Sequence, residues 1–362
     1  MNRGAERVLY TTTGELSAAL RRSRKLILLA TLLFLALVTV PSWLALELYR
    51  FARSPAGTDD TPVFFEIGSG ERFRQVADRL LEAGLIADSR RFRVVAFLKK
   101  ADTRLKAGEF QMTSRLTPLE VIDILVNGKV VQHALVIPEG YSLVQIAAEV
   151  ERAGLSAAGH FIGLATRPEA APTFEIEAPT LEGYLFPDTY YFTKNESAEN
   201  LIAKMVQRFR EQLPSGWQER TAELGLSLHQ VVTLASIIEK ETGDPAERPL
   251  IASVFHNRLQ RKMRLDSDPT VIYGIADFDG NLTRRHLTTP TPYNTYMIRG
   301  LPPGPIANPG RAAIEAALYP ADTDYLFFVA RQDRTHQFSS NLQDHNRAVH
   351  EHQIRPHRRS AP

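Results

Sequence analysis

The sequence contains no cysteine among its 362 residues. Disulfide bonds, zinc sites built on cysteine and thiol nucleophiles are therefore excluded. The absence suits an oxidising compartment outside the cytoplasm, where an unpaired thiol is a liability. It is compatible with such a location and does not establish it.

A large net charge is also missing. Lys and Arg number 43 against 41 Asp and Glu, which gives a formal net charge of +2. Aromatic and basic residues are not interleaved in a strip, so no nucleic-acid partner is predicted. The hydrophobic fraction of 44% and the charged fraction of 23% are typical of globular proteins. The length favours two or three domains.

One segment lacks charge altogether. The 21 residues Leu26–Leu46 are free of Asp, Glu, Lys and Arg, and a helix of this length spans about 30 Å, the thickness of a bilayer core. Four basic residues stand directly before it, which predicts a cytoplasmic N-terminus in the inner membrane and a periplasmic remainder. The alternative is a cleaved signal peptide. The run exceeds the usual apolar region of about 7–15 residues, and no small-residue cleavage site follows it.

Two stretches after this segment match each other at an offset of 70 residues. They are Phe65–Leu85 and Leu135–Leu155, and Gly70 aligns with Gly140. Each predicts a short strand, a glycine turn and an amphipathic helix that ends at glycine. This unit resembles the LysM-type carbohydrate-binding module. The alternative is a small α+β spacer that binds no ligand.

A later helix carries a carboxylate on its apolar face. Ser227 and Gln230 have the spacing of a capping box, and the helix is predicted to end at Gly243. At 100° per residue, Glu239 falls within the apolar stripe, Glu241 lies at its edge, and the next side chain, Lys240, points away. The stripe itself consists of Leu228, Val231, Val232, Ala235 and Ile238.

The position of Glu239 leaves two interpretations open. A buried carboxylate must be paired, or protonated through a raised pKa. A glutamate with a raised pKa is what a general acid needs near neutral pH. The alternative is a boundary glutamate that pairs with a nearby basic residue.

A long segment rich in proline and glycine follows, Thr288–Gly310. It excludes a regular helix or a central strand, and long ordered loops of this kind are often functional. Tyr293, Asn294, Thr295 and Tyr296 lie within it. Tyrosine rings and amide groups suit the binding of sugars. A purely structural wrap is the alternative.

Five motifs occur in a fixed order along the chain. They are Glu182–Tyr190, Leu234–Thr242, Ser267–Gly274, Thr289–Tyr296 and Gly300–Gly310. Together they resemble the YceG/MltG family of endolytic murein transglycosylases, and the resemblance covers about residues 60–348. An amide often stands in that family where Asp266 is here, which puts in doubt a substrate-binding role for that side chain.

The resemblance implies lytic cleavage of peptidoglycan glycan strands, with Glu239 as the catalytic residue and without a cofactor. Glu239 would protonate the oxygen between N-acetylmuramic acid and N-acetylglucosamine. It would then accept the proton of the muramic C6 hydroxyl, which closes onto C1 to give a 1,6-anhydro end. One alternative is a muramidase with two carboxylates, in which Asp268 or Glu182 is the second. The other is a membrane-tethered glycan-binding scaffold.

Further candidates surround this centre. Glu182 and Asp188 sit in a turn rich in glycine, proline and aromatic residues, where they either line a groove or pair within the fold. The residues predicted to bind substrate are Glu182, Asp268, Tyr293, Asn294, Thr295 and Tyr296.

No metal site is predicted, and a serine hydrolase is not supported because Ser236 lacks a G-x-S-x-G context. Four histidines are instead interpreted as part of a solvated tail: His345, His350, His352 and His357.

The predicted class is α+β, because no repeated βαβ pattern is present. Strands near Tyr325–Val329 and His336–Ser339 are expected to close the catalytic domain. The family's role in ending nascent strands implies peptidoglycan synthases as partners, and the anchor would confine Glu239 to a shallow layer above the membrane. The predicted divisions are a tail (1–25), the membrane helix (26–46), a linker (47–62), a LysM-like module (63–131), the catalytic domain (132–348) and a polar tail (349–362).

Overall fold

The computed structural model describes residues 5–354, with side chains described from Lys25 onward. The predicted tail residue His357 lies outside this range. The chain divides into two compact units, and the division falls between Val131 and Gln132. Helices and short antiparallel strand pairs occur in both units. This mixture is the α+β class that the sequence predicts.

The first unit begins with one long helix, α1 (Ala5–Arg53). Its segment Lys25–Arg53 is long and apolar enough to cross a membrane, and no residue of its most apolar stretch is buried. The last turn differs, because Phe51 and Ala52 are buried in the core of the first unit. The helix therefore continues past Leu46, through the first residues of the predicted linker, into a packed turn.

A small α+β arrangement completes the first unit. Strands β1 and β2 pair antiparallel, with Phe65 opposite Phe110, and the two helices between them bury Val76, Leu80 and Phe92 against the sheet. The elements are β1 (Val63–Ile67), α2 (Phe73–Glu82), α3 (Ser89–Leu98), β2 (Gly108–Met112) and α4 (Pro118–Asn127).

The second unit contains the elements of the candidate site. Strand β3 pairs antiparallel with β4, and β5 pairs antiparallel with β6. The β5–β6 pair confirms the strands expected near residues 325 and 336. In order the elements are β3 (His133–Val136), α5 (Leu143–Arg152), α6 (Ala158–Thr166), α7 (Ala170–Thr173), β4 (Thr189–Phe192), α8 (Ala198–Gln212), α9 (Trp217–Leu224), α10 (Leu228–Glu241), a 3-10 turn (Pro245–Glu247), α11 (Arg248–Gln260), α12 (Asp268–Tyr273), α13 (Arg284–Thr288), α14 (Arg311–Leu318), β5 (Phe327–Ala330), β6 (His336–Ser339), α15 (Leu342–Val349) and a π turn (His350–Ile354).

Each unit contains one copy of the internal repeat. In both copies a strand is followed by a glycine at φ +75°, Gly70 or Gly140, and then by a ten-residue helix, α2 or α5. The glycine is required because other residues are strained at this backbone angle. The predicted strand, turn and helix are therefore present twice.

Helix α10 is the central helix of the second unit and packs against α11, α12 and α14. Ser227 and Gln230 form the predicted capping box. The prediction that the helix ends at Gly243 is wrong by two residues, because α10 ends at Glu241. The hydroxyl of Thr242 donates to the carbonyl of Ile238 at 2.6 Å and closes the last turn. Gly243 instead allows a close backbone approach, since a Cβ there would lie 2.5 Å from the Arg334 carbonyl oxygen.

Candidate active site

Glu239 lies in the last turn of α10, and its side chain is only 8% exposed. Its Oε1 accepts a hydrogen bond from Nη2 of Arg248, the first residue of α11, at 3.2 Å. Its Oε2 accepts from the backbone N–H of Gly310, the residue before α14, at 3.1 Å. Three helix ends thus meet at one carboxylate. The pairing with arginine is the second of the two interpretations that the sequence leaves open.

A second glutamate faces the same arginine. Glu139 lies in the turn after β3, and its Oε2 is 3.7 Å from Arg248 Nη2. Its side chain is half exposed. Burial and the negative charge of Glu239 raise the pKa of Glu139, and Arg248 opposes the shift. A Cβ on Gly310 would lie 1.9 Å from Glu139 Oε1, so the glycine makes room for this carboxylate.

Glu139 was not among the residues predicted from sequence. The repeat contained a signal for it, because Pro138-Glu139 in the second copy stands where the first copy has Gly68-Ser69. A charged residue that appears in only one copy of a turn is a candidate for a function that the other copy does not have. Its closeness to Arg248, more than one hundred positions away in the chain, is visible only in the fold.

Arg248 links the two carboxylates. Its side chain is 13% exposed, and its Nε has no hydrogen-bond partner among the described residues. Its Nη2 lies within ion-pair distance of both glutamates, 3.2 Å from Glu239 and 3.7 Å from Glu139.

An open groove of about 870 Å³ begins beside Glu239. Gly140 and Lys240 line this end, and a Cβ on Gly140 would lie 3.5 Å from Glu239 Cγ. The groove continues past Val144 on α5 and Tyr273 on α12. Much of its wall is apolar, with one aromatic ring, a surface on which the flat faces of sugar rings can pack.

Glu182 does not reach the groove. It is 5% exposed, and it accepts from the Leu143 N–H at 3.0 and 3.1 Å, from the Tyr273 hydroxyl at 3.1 Å and from Asn308 Nδ2 at 3.0 Å. Burial raises its pKa to about 7, although these donors act in the opposite direction. The carboxyl group caps the N-terminus of α5 and accepts the hydroxyl hydrogen bond that holds Tyr273 in place. The sequence allows Glu182 either to line a groove or to pair within the fold, and these contacts correspond to pairing within the fold.

The proline-rich loop has no regular structure from Thr289 to Gly310, as predicted. Asn294 and Thr295 are fully buried. Asn294 Nδ2 donates to the carbonyl of Thr289 at 2.7 Å, and Thr295 Oγ1 accepts from the Ser267 N–H at 3.0 Å. These two side chains hold the loop in place, so neither is exposed to a ligand.

The tyrosines of the loop are more accessible. The ring of Tyr293 lies 4.8 Å from that of Tyr273, which lines the groove. Tyr296 donates its hydroxyl to Asp268 at 2.7 Å, at the start of α12. The structure thus places both tyrosines and Asp268 on or next to α12, which forms one wall of the groove.

Glu241 forms a separate pair on the other side of α10. Its Oε1 accepts from the Ser267 hydroxyl at 2.6 Å. Burial raises its pKa to about 7, and the negative charge of Asp268 adds to the shift. Asp266 adopts φ +47° and forms ion pairs with Arg258 and Arg264 at 3.7 and 3.4 Å.

Two further observations concern residues outside the groove. Asp188 is paired with Arg208 at 2.6 Å, which is an interaction within the fold. Among the side chains described from Lys25 to Ile354, no group of three or more His, Asp or Glu is arranged to hold a metal ion.

The geometry defines a class of site: one nearly buried carboxylate, an arginine shared with a second carboxylate, and an open groove beside them on an α+β unit. The model of the YceG-like family matches residues 65–351 of this chain. The match covers most of the chain and contains every residue described above for the site. The protein therefore belongs to the YceG-like family.

Known relatives agree with this assignment. The chain is 30% identical over 363 aligned positions to the endolytic murein transglycosylase of Streptococcus pneumoniae serotype 2 (strain D39), with 91% of this chain and 65% of that protein covered. It is 42% identical over 169 residues to the protein of the same name from Bacillus subtilis (strain 168), with 46% and 47% covered. The chain thus spans about half to just under two thirds of these relatives.

A solved structure is also similar. The crystal structure of a YceG-like protein from Listeria monocytogenes matches with a TM-score of 0.55 and 33% sequence identity. The match covers 80% of this chain and 99% of the Listeria chain. The similarity therefore extends over nearly the whole of that structure.

Proposed function

We propose that this protein is an endolytic murein transglycosylase. It cleaves the bond between N-acetylmuramic acid and N-acetylglucosamine within peptidoglycan strands and leaves a 1,6-anhydro end. The observation that carries the proposal is Glu239, a nearly buried carboxylate at the end of an open groove. The names of the relatives, whose matches cover 91% and 46% of this chain, support a transglycosylase reaction.

The chemistry needs one carboxyl group that acts twice. Protonated Glu239 gives its proton to the bridging oxygen, and the bond from that oxygen to C1 of the muramic residue breaks as positive charge develops at C1. The resulting carboxylate takes the proton of the C6 hydroxyl, whose oxygen forms the new bond to C1. No water is consumed, and Glu239 ends protonated as it began.

Arg248 stabilises the carboxylate form of Glu239 between the two proton transfers. In this proposal Glu139 acts as a positioning residue for that arginine. When Arg248 moves towards Glu139, the charge that favours ionised Glu239 is withdrawn, and the protonated form becomes available for the first step. The contacts of 3.7 and 3.2 Å from the same nitrogen support this exchange.

The groove holds the sugars. Tyr293, Tyr296 and Asp268 supply aromatic faces and hydrogen-bonding groups at the wall formed by α12. The buried residues Glu182, Asn294 and Thr295 contribute indirectly, because their internal hydrogen bonds fix the groove floor and the loop. Of the six residues predicted to bind substrate, we therefore propose contact with the sugars for Tyr293, Tyr296 and Asp268 only, and a supporting role for Glu182, Asn294 and Thr295.

The apolar helix anchors the chain in the inner membrane, with the N-terminus in the cytoplasm and the residues that follow the helix in the periplasm. The basic residues before the helix support this orientation. The order strand, helix, helix, strand in residues 63–112 supports a LysM-like role in glycan binding for the first unit. Peptidoglycan synthases that produce nascent strands are the proposed partners.

The second candidate is a muramidase with two carboxylates. Glu139 is better placed to be its second carboxylate than Glu182 or Asp268, the two residues suggested by the sequence. Glu139 and Glu239 contact one guanidinium nitrogen, whereas the oxygens of Glu182 are buried and engaged. Such an enzyme would be a hydrolase.

The catalytic assignment is tested with full-length protein and purified glycan strands. Glu239→Gln should abolish cleavage, because an amide cannot supply the proton. Glu219→Gln, the same change at an exposed position on α9, is the matched control and should cleave normally. Full cleavage by Glu239→Gln would contradict the assignment.

A further inference from the structure

Helix α3 in the first unit has an exposed apolar face. Val94, Phe97 and Leu98 are 48%, 69% and 66% exposed, and their spacing of three and four places them on one side of the helix. The opposite side contributes Phe92 and Val95 to the core. The exposed apolar side chains therefore do not contribute to the core of the unit.

Positive charge surrounds this face. Arg90 and Arg91 lie one turn before Val94 on the same side, and Lys99 and Lys100 follow the end of the helix; all four are exposed. Residues 89–101 contain no Asp or Glu. Exposed large apolar side chains flanked by arginine and lysine are typical of helices that lie in a membrane interface.

The same unit holds the end of the candidate membrane span. Helix α1 runs without a break from Lys25 to Arg53, its last turn is buried in the core of the unit through Phe51 and Ala52, and it packs against α3 and α4. A helix that leaves the bilayer and enters a core directly keeps that core at the membrane surface.

We propose that the face of α3 formed by Val94, Phe97 and Leu98, with its flanking arginines and lysines, inserts into the headgroup region of the bilayer that α1 crosses. The apolar side chains enter the boundary of the acyl chains, and the cations bind the phosphates of anionic lipids. The first unit is then fixed to the membrane at two places, and its orientation on the surface is set.

The absence of cysteine makes a direct test simple, because one introduced cysteine is the only labelling site. Full-length Phe97→Cys, labelled with a fluorophore, is reconstituted into nanodiscs of phosphatidylethanolamine and phosphatidylglycerol. Lipids with a nitroxide near the headgroup then quench labels at shallow depth. Leu37→Cys in the span and Leu342→Cys, an exposed apolar position of the second unit, give the lipid and solvent references.

The proposal predicts that the Phe97 label is quenched severalfold more than the Leu342 label. The quenching should fall when phosphatidylglycerol is replaced by phosphatidylcholine, or when Arg90→Glu and Arg91→Glu are introduced. Thermal unfolding of each variant should be unchanged, since the altered side chains are exposed. Cleavage of soluble glycan strands should also be unchanged, which separates this proposal from the catalytic one.

Two results would overturn it. The first is a Phe97 label in anionic nanodiscs that is no more quenched than the Leu342 label. The second is a Phe97 label that stays shielded from solvent in detergent without lipid, to an extent that depends on protein concentration. That result would assign the face to a second copy of the chain.

Discussion

At the scale of single residues, the site depends on one arginine that serves two glutamates. Helical periodicity places Glu239 on the apolar stripe of α10, because burial follows a repeat of 3.6 residues. Its partners Arg248, Glu139 and Gly310 come from three other segments of the chain. No local pattern brings these segments together, so the contacts among them could not be predicted from the sequence.

The shared arginine leads to a prediction about pH. Glu139→Gln removes one of the two charges that compete for Arg248, so the arginine pairs with Glu239 alone. Burial and the charge of Glu239 raise the pKa of Glu139, so the wild-type pH–rate profile should contain the titration of this group, and the profile of Glu139→Gln should be shifted because it lacks it. Glu139→Asp should restore part of the profile. An unchanged profile for Glu139→Gln would remove Glu139 from the mechanism.

Gly310 offers an independent change at the same place. Gly310→Ala is compatible with the backbone, which has φ −73°, but its Cβ displaces the carboxyl group of Glu139. We expect a fold that is retained and a pH profile shifted like that of Glu139→Gln. Combined with Glu139→Gln, the alanine should have little further effect, because both changes remove the same contact. Additive effects in the double variant would contradict this explanation.

The raised pKa of Glu241 leads to a prediction about how the free energy of unfolding depends on pH. Its pKa is about 7 in the folded protein against a usual value of 4.5, so the folded state holds the proton more tightly than the unfolded state. The stabilisation is complete below about pH 4.5 and is lost as the pH rises through 7, with a magnitude of at most about 3 kcal/mol. Urea unfolding of the wild type and of Glu241→Gln across pH 4.5–8 measures it. The variant should show a flatter dependence, and an equal slope would contradict the prediction.

At the scale of elements, the most predictable parts were those specified by local chemistry. The capping box of α10 and the glycine turns of the two repeats formed as the sequence indicates. The end of α10 was less predictable. Gly243 looks like a helix terminator, but it is required by the approach of the Arg334 carbonyl, a tertiary contact that no local pattern reveals.

The capping box can be tested by itself. Ser227→Ala removes the acceptor for the Gln230 N–H at 3.2 Å and should destabilise the second unit by about 1 kcal/mol. Ser215→Ala, at an exposed loop position, is the matched control. Chemical denaturation of both variants compares them, and equal stability of the two would show that the cap contributes nothing.

At the scale of the whole molecule, the apolar part of α1 continues without a break into the core of the first unit. The sequence predicts a linker at residues 47–62, whereas the structure keeps helix to Arg53 and buries Phe51 in the core. The docking was missed because a charged, amphipathic end of a membrane helix gives no sign of what it packs against. The continuity strengthens the expectation that the anchor would restrict where the proposed cleavage takes place.

This continuity distinguishes two soluble versions of the chain. A version that starts at Glu47 keeps Phe51 and Ala52, and should retain cleavage of isolated strands while it loses function in the cell. A version that starts at Ser54 lacks both buried residues, and its first unit should be less stable by about 3–5 kcal/mol, the typical loss for a buried phenylalanine. Thermal unfolding of the pair measures the difference, and equal stability would contradict the docking of α1.

In the proposed reaction, Glu239 catalyses cleavage without water. The most direct measurement is mass spectrometry of the products formed from purified glycan strands in water enriched in oxygen-18. We expect 1,6-anhydro ends that contain no heavy oxygen, and no product from Glu239→Gln. Reducing ends that carry oxygen-18, without an anhydro sugar, would show hydrolysis and contradict the proposed reaction.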